Sequence, residues 1–203
     1  MFNADTVVIL DFETTGLSPD GGDRAIEIGA VRLENGQITG RFQELMNPGR
    51  RVNAFIESYT GISNAMLADA PATGEVMARF ADFIGDFNLV AHNASFDKRF
   101  LDAELARIGV GYRGQFACSM LLARRLYQAA PDYKLGTLVR FANIPADGVF
   151  HRALYDSEMT AKLWLAMLDE LASRWNIATI PFDVLYKISK MPKKSVDGFL
   201  AAL

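Results

Sequence analysis

Short apolar runs separated by turn residues fill the first fifty positions, and after Pro48 the apolar spacing changes to a helical one. In "VVILDFETTGL" the apolar run from Val7 leads directly into Asp11 and Glu13, and residues 6–13 read as a strand rich in β-formers. Two more strand-like runs, "AIEIGAVRLE" (25–34) and "ITGRFQELM" (38–46), flank Asn35-Gly36. That dipeptide suits a type I′ hairpin turn, whose two central residues both need positive φ. The three runs together predict an antiparallel meander. Helices are expected at "FIESYTGIS" and "TGEVMARFADFIGDF", the second carrying Val76, Phe80, Phe83 and Ile84 on one face.

Beyond the second helix the pattern alternates. A strand "NLVAHN" (88–93) leads into a helix "SFDKRFLDAELARIG", with Ser95 as N-cap and Gly109 as C-terminal stop. "GQFACSM" (114–120) reads as a strand feeding "LLARRLY", followed by a helix near 135–143, a loop ending at His151 and a long helix from about Tyr155 to Arg174. Strands alternating with helices after a meander imply an α/β fold, a mixed five-stranded sheet of antiparallel meander plus parallel strands, flanked by helices. No internal repeat or low-complexity linker divides the chain, so residues 1–174 are expected to form one domain and 175–203 a helical extension packed on it. Lys187, Lys190, Lys193 and Lys194 in that extension also fit a partner or nucleic-acid contact.

Composition acts mainly by exclusion. With 203 residues, 50% hydrophobic and 22% charged, the chain can bury one sizeable core unaided. Cys118 is the single cysteine, so no intrachain disulfide can form, and with only His92 and His151 beside it no structural zinc site can be built. No run approaches the ~20 apolar residues of a membrane span, and no basic-then-apolar leader opens the chain, so a cytoplasmic protein with no membrane partner is expected. A net charge of −3 and a pI near 5.4 argue against a broad phosphate-gripping surface. They do not exclude a nucleic-acid enzyme that attracts phosphate locally through metal ions and a few cations; Lys98, Arg99, Lys134 and Arg152 are candidates, and each fits equally well as an ordinary solvated charge.

The acids carry the chemistry. Residues i and i+2 of a strand share a face, so Asp11 and Glu13 point together while Phe12 points into the opposite layer. Carboxylates held so close repel one another unless a cation sits between them, and a hard divalent ion such as Mg²⁺ or Mn²⁺ relieves that cost. Taken alone, the pattern also fits a solvated strand end. Asp97 falls in the first turn of a helix on the same side as Leu101, Leu105 and Ile108, where the helix dipole would also favour it. Asp156 shares a face with Met159, Leu163 and Met167 and so needs a partner, since an unpaired buried carboxylate costs several kcal/mol. His151 precedes Asp156 by five residues in "GVFHRALYD"; imidazole suits proton transfer near neutral pH, although a surface histidine fits as well.

"DFETTGL", "HNASFDKRFL" and "HRALYDSEMTA" resemble, in order and spacing, the three motifs of the DEDDh 3′–5′ exonucleases, the family that includes the epsilon proofreading subunit of bacterial DNA polymerase III. The resemblance covers residues 6 to about 170; a tyrosine at the position of His151 would mark the sister group. It implies an RNase H-like fold, two Mg²⁺ ions (Mn²⁺ substituting) held by Asp11, Glu13, Asp97 and Asp156, and His151 as general base. Thr14, Leu17, Asn93 and Phe96 would cradle the terminal nucleotide, and His92 would be structural. The implied activity is release of nucleoside 5′-monophosphates from single-stranded or frayed 3′ ends of DNA. RNA or short oligonucleotides as substrate, or a non-catalytic module bound to a polymerase, are the alternatives; a DNA polymerase is a candidate partner.

Overall fold

The computed structural model describes residues 3–148, 151–177 and 179–202. Five strands, β1 (Val7–Thr14), β2 (Ala25–Glu34), β3 (Gln37–Leu45), β4 (Asn88–Ala91) and β5 (Phe116–Cys118), form one sheet in the order β3-β2-β1-β4-β5. β1 pairs antiparallel with β2 and parallel with β4, and β5 is parallel to β4, which makes the mixed sheet expected from the sequence. The β2–β3 turn has φ 52° at Asn35 and 75° at Gly36, as a type I′ hairpin requires.

The helices are α1 (Ala54–Thr60), α2 (Asn64–Ala68), α3 (Thr73–Ile84), α4 (Ser95–Arg107), α5 (Ser119–Leu126), α6 (Leu135–Phe141), α7 (Ala153–Trp175), α8 (Phe182–Lys190) and α9 (Val196–Leu200). β1 sorts its side chains between two layers. Val7 and Ile9 join Leu163, Trp164 and Met167 of α7 and Phe182 and Leu185 of α8, whereas Val8, Leu10 and Phe12 join Phe80 of α3 and Phe100 of α4. Trp164, Phe80 and Phe100 are fully buried, each stabilising the fold by about 1.5–3 kcal/mol. Trp164 also donates Nε1–H to the Ala4 carbonyl at 2.7 Å, which pins the chain just before β1 to α7.

Several boundaries depart from the sequence expectation. Ser95 is the first helical residue and Ala94 holds the N-cap position without a side-chain cap, because Asn93 turns the chain at φ 63° immediately after β4. His92 and Asn93 therefore lie outside the strand that was expected to include them, and Ser119 and Met120 belong to α5 and not to β5. α7 starts two residues before Tyr155. α2, a five-residue helix capped by the Ser63 side chain, is too short for its periodicity to show in the sequence. The segment after Arg174 folds as α8 and α9 joined by a 3₁₀ turn, and α8 lies against α5, with Arg125 Nε donating to the Met191 carbonyl at 3.1 Å. Among the described residues no helix is long and apolar enough to cross a membrane.

Candidate metal-dependent active site

Three chain turns meet at the C-terminal end of β1: the end of that strand, the β4–α4 turn, and the first turn of α7. Because Val7 and Ile9 face α7, the two-residue period of the strand sends Asp11 and Glu13 to the same side. β2 explains why Asp156 can reach them. Gly29 is the cross-strand neighbour of Asp11, and Glu27 that of Glu13. The start of α7 lies directly on Gly29, where a Cβ would come within 2.0 Å of the Leu154 nitrogen, and the Ser157 hydroxyl donates to the Gly29 carbonyl at 2.9 Å. The helix thus begins on the strand next to the acids, and one carboxylate oxygen each from Asp11, Glu13 and Asp156 can lie within 4.8 Å of the others.

Asp97 stands apart from that trio. It is buried, lines the same cleft, and turns Oδ1 toward the Phe12 N–H, from which it accepts at 3.1 Å. Four carboxylates in a poorly hydrated site resist ionisation. Burial, followed by repulsion from Asp97, Glu13 and Asp156, holds the Asp11 carboxyl well above the usual range. Burial and the charge of Asp156 push Glu13 up to about 8. Burial raises Asp97 to about 7 against the opposing hydrogen bond from Phe12, and raises Asp156 to about 6 against that from His151.

Such a site fits a divalent cation. The donors are all hard carboxylate oxygens, the ligand type that Mg²⁺ and Mn²⁺ take. Among the described residues Asp156 Oδ1, which is buried, has no hydrogen-bond partner, whereas its Oδ2 accepts from the His151 N–H at 2.9 Å. An acceptor oriented among other carboxylates with nothing to receive is costly unless a cation completes it.

His151 stands at the cleft mouth with φ 71°, its ring 4.3 Å from that of Tyr59. Tyr59 in turn stacks on Phe55 at 5.8 Å, one helical turn away on α1. Leu17, Phe55 and Tyr59 are 76%, 70% and 51% exposed, an unusual concentration of bare apolar surface around one cleft of ≈ 660 Å³. Thr14, Leu17, Asn93 and Phe96 all line this cleft, so the structure gathers every site residue expected from the sequence. His92 also borders it, but both ring nitrogens are engaged, with the Ser119 hydroxyl and the Tyr133 carbonyl, each at 2.9 Å; burial lowers its pKa.

The cations considered as phosphate partners are largely committed elsewhere. Arg152 grips Glu27, Lys98 pairs with Asp102, and Arg99 donates to the Ser95 carbonyl. Tyr59, Phe55 and Glu27 escaped sequence analysis, although signals existed. Aromatic residues four apart in a helix share a face, and an acid inside "AIEIGAV" has no place in a strand buried on both sides.

Comparison with known proteins agrees with this geometry. The RNase_T model, described as an exonuclease family, matches residues 8–164. The DNA polymerase III PolC-type of Caldanaerobacter subterraneus subsp. tengcongensis is 38% identical over 164 residues, which are 81% of this chain and 12% of that protein. The chain therefore spans about an eighth of the length of such relatives. Among solved structures, exonuclease X in complex with 5′ overhanging duplex DNA superposes with a TM-score of 0.69 and 29% identity, covering 90% of this chain and 99% of the other. The nuclease domain of 3′hExo, a DEDDh family member bound to rAMP, shares the fold with a TM-score of 0.71 at 22% identity, over 82% and 92% of the two chains.

Proposed function

The chain belongs to the exonuclease family whose model spans residues 8–164, and we propose that it removes nucleoside 5′-monophosphates from single-stranded or frayed 3′ ends of DNA. One observation carries this assignment: Asp11, Glu13 and Asp156, from two distant parts of the sequence, converge within 4.8 Å, and Asp97 lines the same cleft. The four carboxylates would hold two divalent cations, Mg²⁺ with Mn²⁺ able to substitute. When bound, such ions supply Lewis-acid activation of the attacking water and charge stabilisation at the leaving 3′ oxygen. Leu17, Phe96 and Tyr59 offer apolar surface to the terminal bases, whose stacking is tolerant of sequence. Thr14 and Asn93 supply polar atoms for the sugar at the 3′ end. His151, at the solvent side of the cluster, takes the proton from the attacking water.

DNA as substrate is supported by the PolC-type relatives, which are DNA polymerases, and by the DNA complex of exonuclease X. The same relatives support action beside a DNA polymerase. Packing of α8 on α5 supports treating residues 175–203 as an extension of the exonuclease domain. The test is incubation with 5′-labelled single-stranded DNA or RNA in Mg²⁺ or in EDTA. A DNA ladder shortening from the 3′ end only in Mg²⁺ is the expected result. A faster RNA ladder would move the assignment to an exoribonuclease, and no ladder on either strand would refute it.

A further inference from the structure

Glu27 is the most deeply enclosed charge beside the cleft, with no exposed surface, yet it lines no part of the cavity and is not among the converging acids. Its carboxylate receives four hydrogen bonds, one from β3 and three from the start of α7. Oε1 accepts from Arg152 Nη2 at 2.9 Å and from Gln43 Nε2 at 3.0 Å, and Oε2 accepts from the Ala153 N–H at 3.2 Å and from Arg152 Nε at 3.3 Å. Three of these four bonds come from the two residues that directly follow His151. The next fixed point before them is His151's own N–H, donated to Asp156. The peptide carrying His151 is therefore fastened on both sides, to Asp156 through its nitrogen and to the β2 strand through Arg152 and Ala153.

We propose that Glu27 is a positioning residue for His151. By holding Arg152 and the start of α7 against β2, it sets where the imidazole stands relative to the acids, without touching substrate itself. The inference rests on His151 acting as the general base. A carboxylate is required because the guanidinium of Arg152 presents a planar fork that a carboxylate matches with two bonds, and because the Ala153 N–H is one of the otherwise unpaired donors at the start of a helix. A misplaced base loses rate without losing substrate, since binding is carried by other residues.

The experiment is a double-mutant cycle between Glu27→Gln and His151→Ala, with Arg152→Ala as a second probe that leaves the buried carboxylate in place. Glu27→Gln and Arg152→Ala are each expected to lower kcat by ~10–100-fold, with KM and the half-saturating Mg²⁺ concentration within about twofold of wild type. In the His151→Ala background neither should lower kcat further. The metal-free protein gives a second readout. The sequence has two histidines, so the imidazole NMR spectrum contains two signal sets, and Glu27→Gln should shift or broaden that of His151 while leaving His92 unchanged. Equal losses in both backgrounds, or a parallel rise in the Mg²⁺ requirement, would overturn the positioning role while leaving the base assignment intact. An unchanged kcat for His151→Ala alone would remove the base assignment and this inference with it.

Discussion

Replacing Asp156 by Asn should make the metal-free protein more stable, although it removes one of the proposed metal ligands. Folding raises the Asp156 pKa from 3.8 to about 6, mainly through burial. An acid whose pKa rises on folding holds more protons in the native than in the unfolded state between those two values, so stability falls as pH climbs through that window and stays low above it. A difference of roughly two units corresponds to about 3 kcal/mol at 1.36 kcal/mol per unit. Asn escapes most of this cost, because its amide is neutral and its NH₂ can donate to the Asp11 and Glu13 oxygens grouped within 4.8 Å of the Asp156 position. Its remaining oxygen can still accept from the His151 N–H. Allowing for desolvation of the amide, a gain of about 1–3 kcal/mol is expected at pH 8, or roughly 2–10 °C in Tm for a domain of this size. Thermal melts by circular dichroism in EDTA, from pH 4 to 8, would show the two proteins coinciding near pH 4 and separating upward. Adding Mg²⁺ should reverse their order, since a ligand at a hundred times its Kd stabilises by about 2.7 kcal/mol and the variant has lost a ligand oxygen. A variant less stable than wild type at pH 8 in EDTA, or one with an undiminished response to Mg²⁺, would refute the account of the site as an electrostatically strained cation receptor.

Further expectations concern activity and packing. Asp11→Ala should abolish Mg²⁺-dependent nucleotide release with the fold intact by circular dichroism, and His151→Ala should lower kcat by ~10²–10⁴ while calorimetric Mg²⁺ binding is largely kept. Half-saturating Mg²⁺ in the activity assay should fall as pH rises from 6 to 8, because the cation displaces protons that Glu13 and Asp97 hold up to about 8 and about 7. Tyr59→Ala and Phe55→Ala should raise KM for single-stranded DNA, each lost stacking partner costing ~1–3 kcal/mol, with little change on a mononucleotide ester. Gly29→Ala should destabilise the protein by at least ~1–3 kcal/mol in urea titrations, because the added methyl meets the α7 backbone at 2.0 Å and no side chain can move aside.

Much of this arrangement was legible in the sequence, for reasons of period and turn chemistry. The β2–β3 hairpin announced itself through Asn35-Gly36, and the two-residue period placed Asp11 and Glu13 on one face before any neighbour was known. Asp97 and Asp156 stood out because each interrupts an apolar helical stripe. What local pattern could not reveal was long-range pairing. Glu27 and Arg152 are 125 positions apart, and nothing in either neighbourhood announces the other. Arg152 consequently read as a candidate for phosphate when it serves a buried carboxylate. The difference between Asp97 and the clustered acids is likewise invisible in sequence, since it depends on the Phe12 N–H of another element donating to the Asp97 carboxylate. Ser95 misled because serine favours N-caps in general, whereas here the left-handed Asn93 starts the turn a residue earlier.

The pairing of Asp11 with Gly29 and of Glu13 with Glu27 ties catalysis to strand alignment. A slip of one residue between these two strands would turn Glu27 to the far layer and put Ile28 or Ala30 in the place of Gly29 under the first turn of α7, which could then neither lie flat nor deliver Asp156. A misaligned molecule would thus be silent instead of indiscriminate. The grouping of Asp11, Glu13 and Asp156 is a property of correctly aligned strands alone, and a chain folded out of register lacks it altogether.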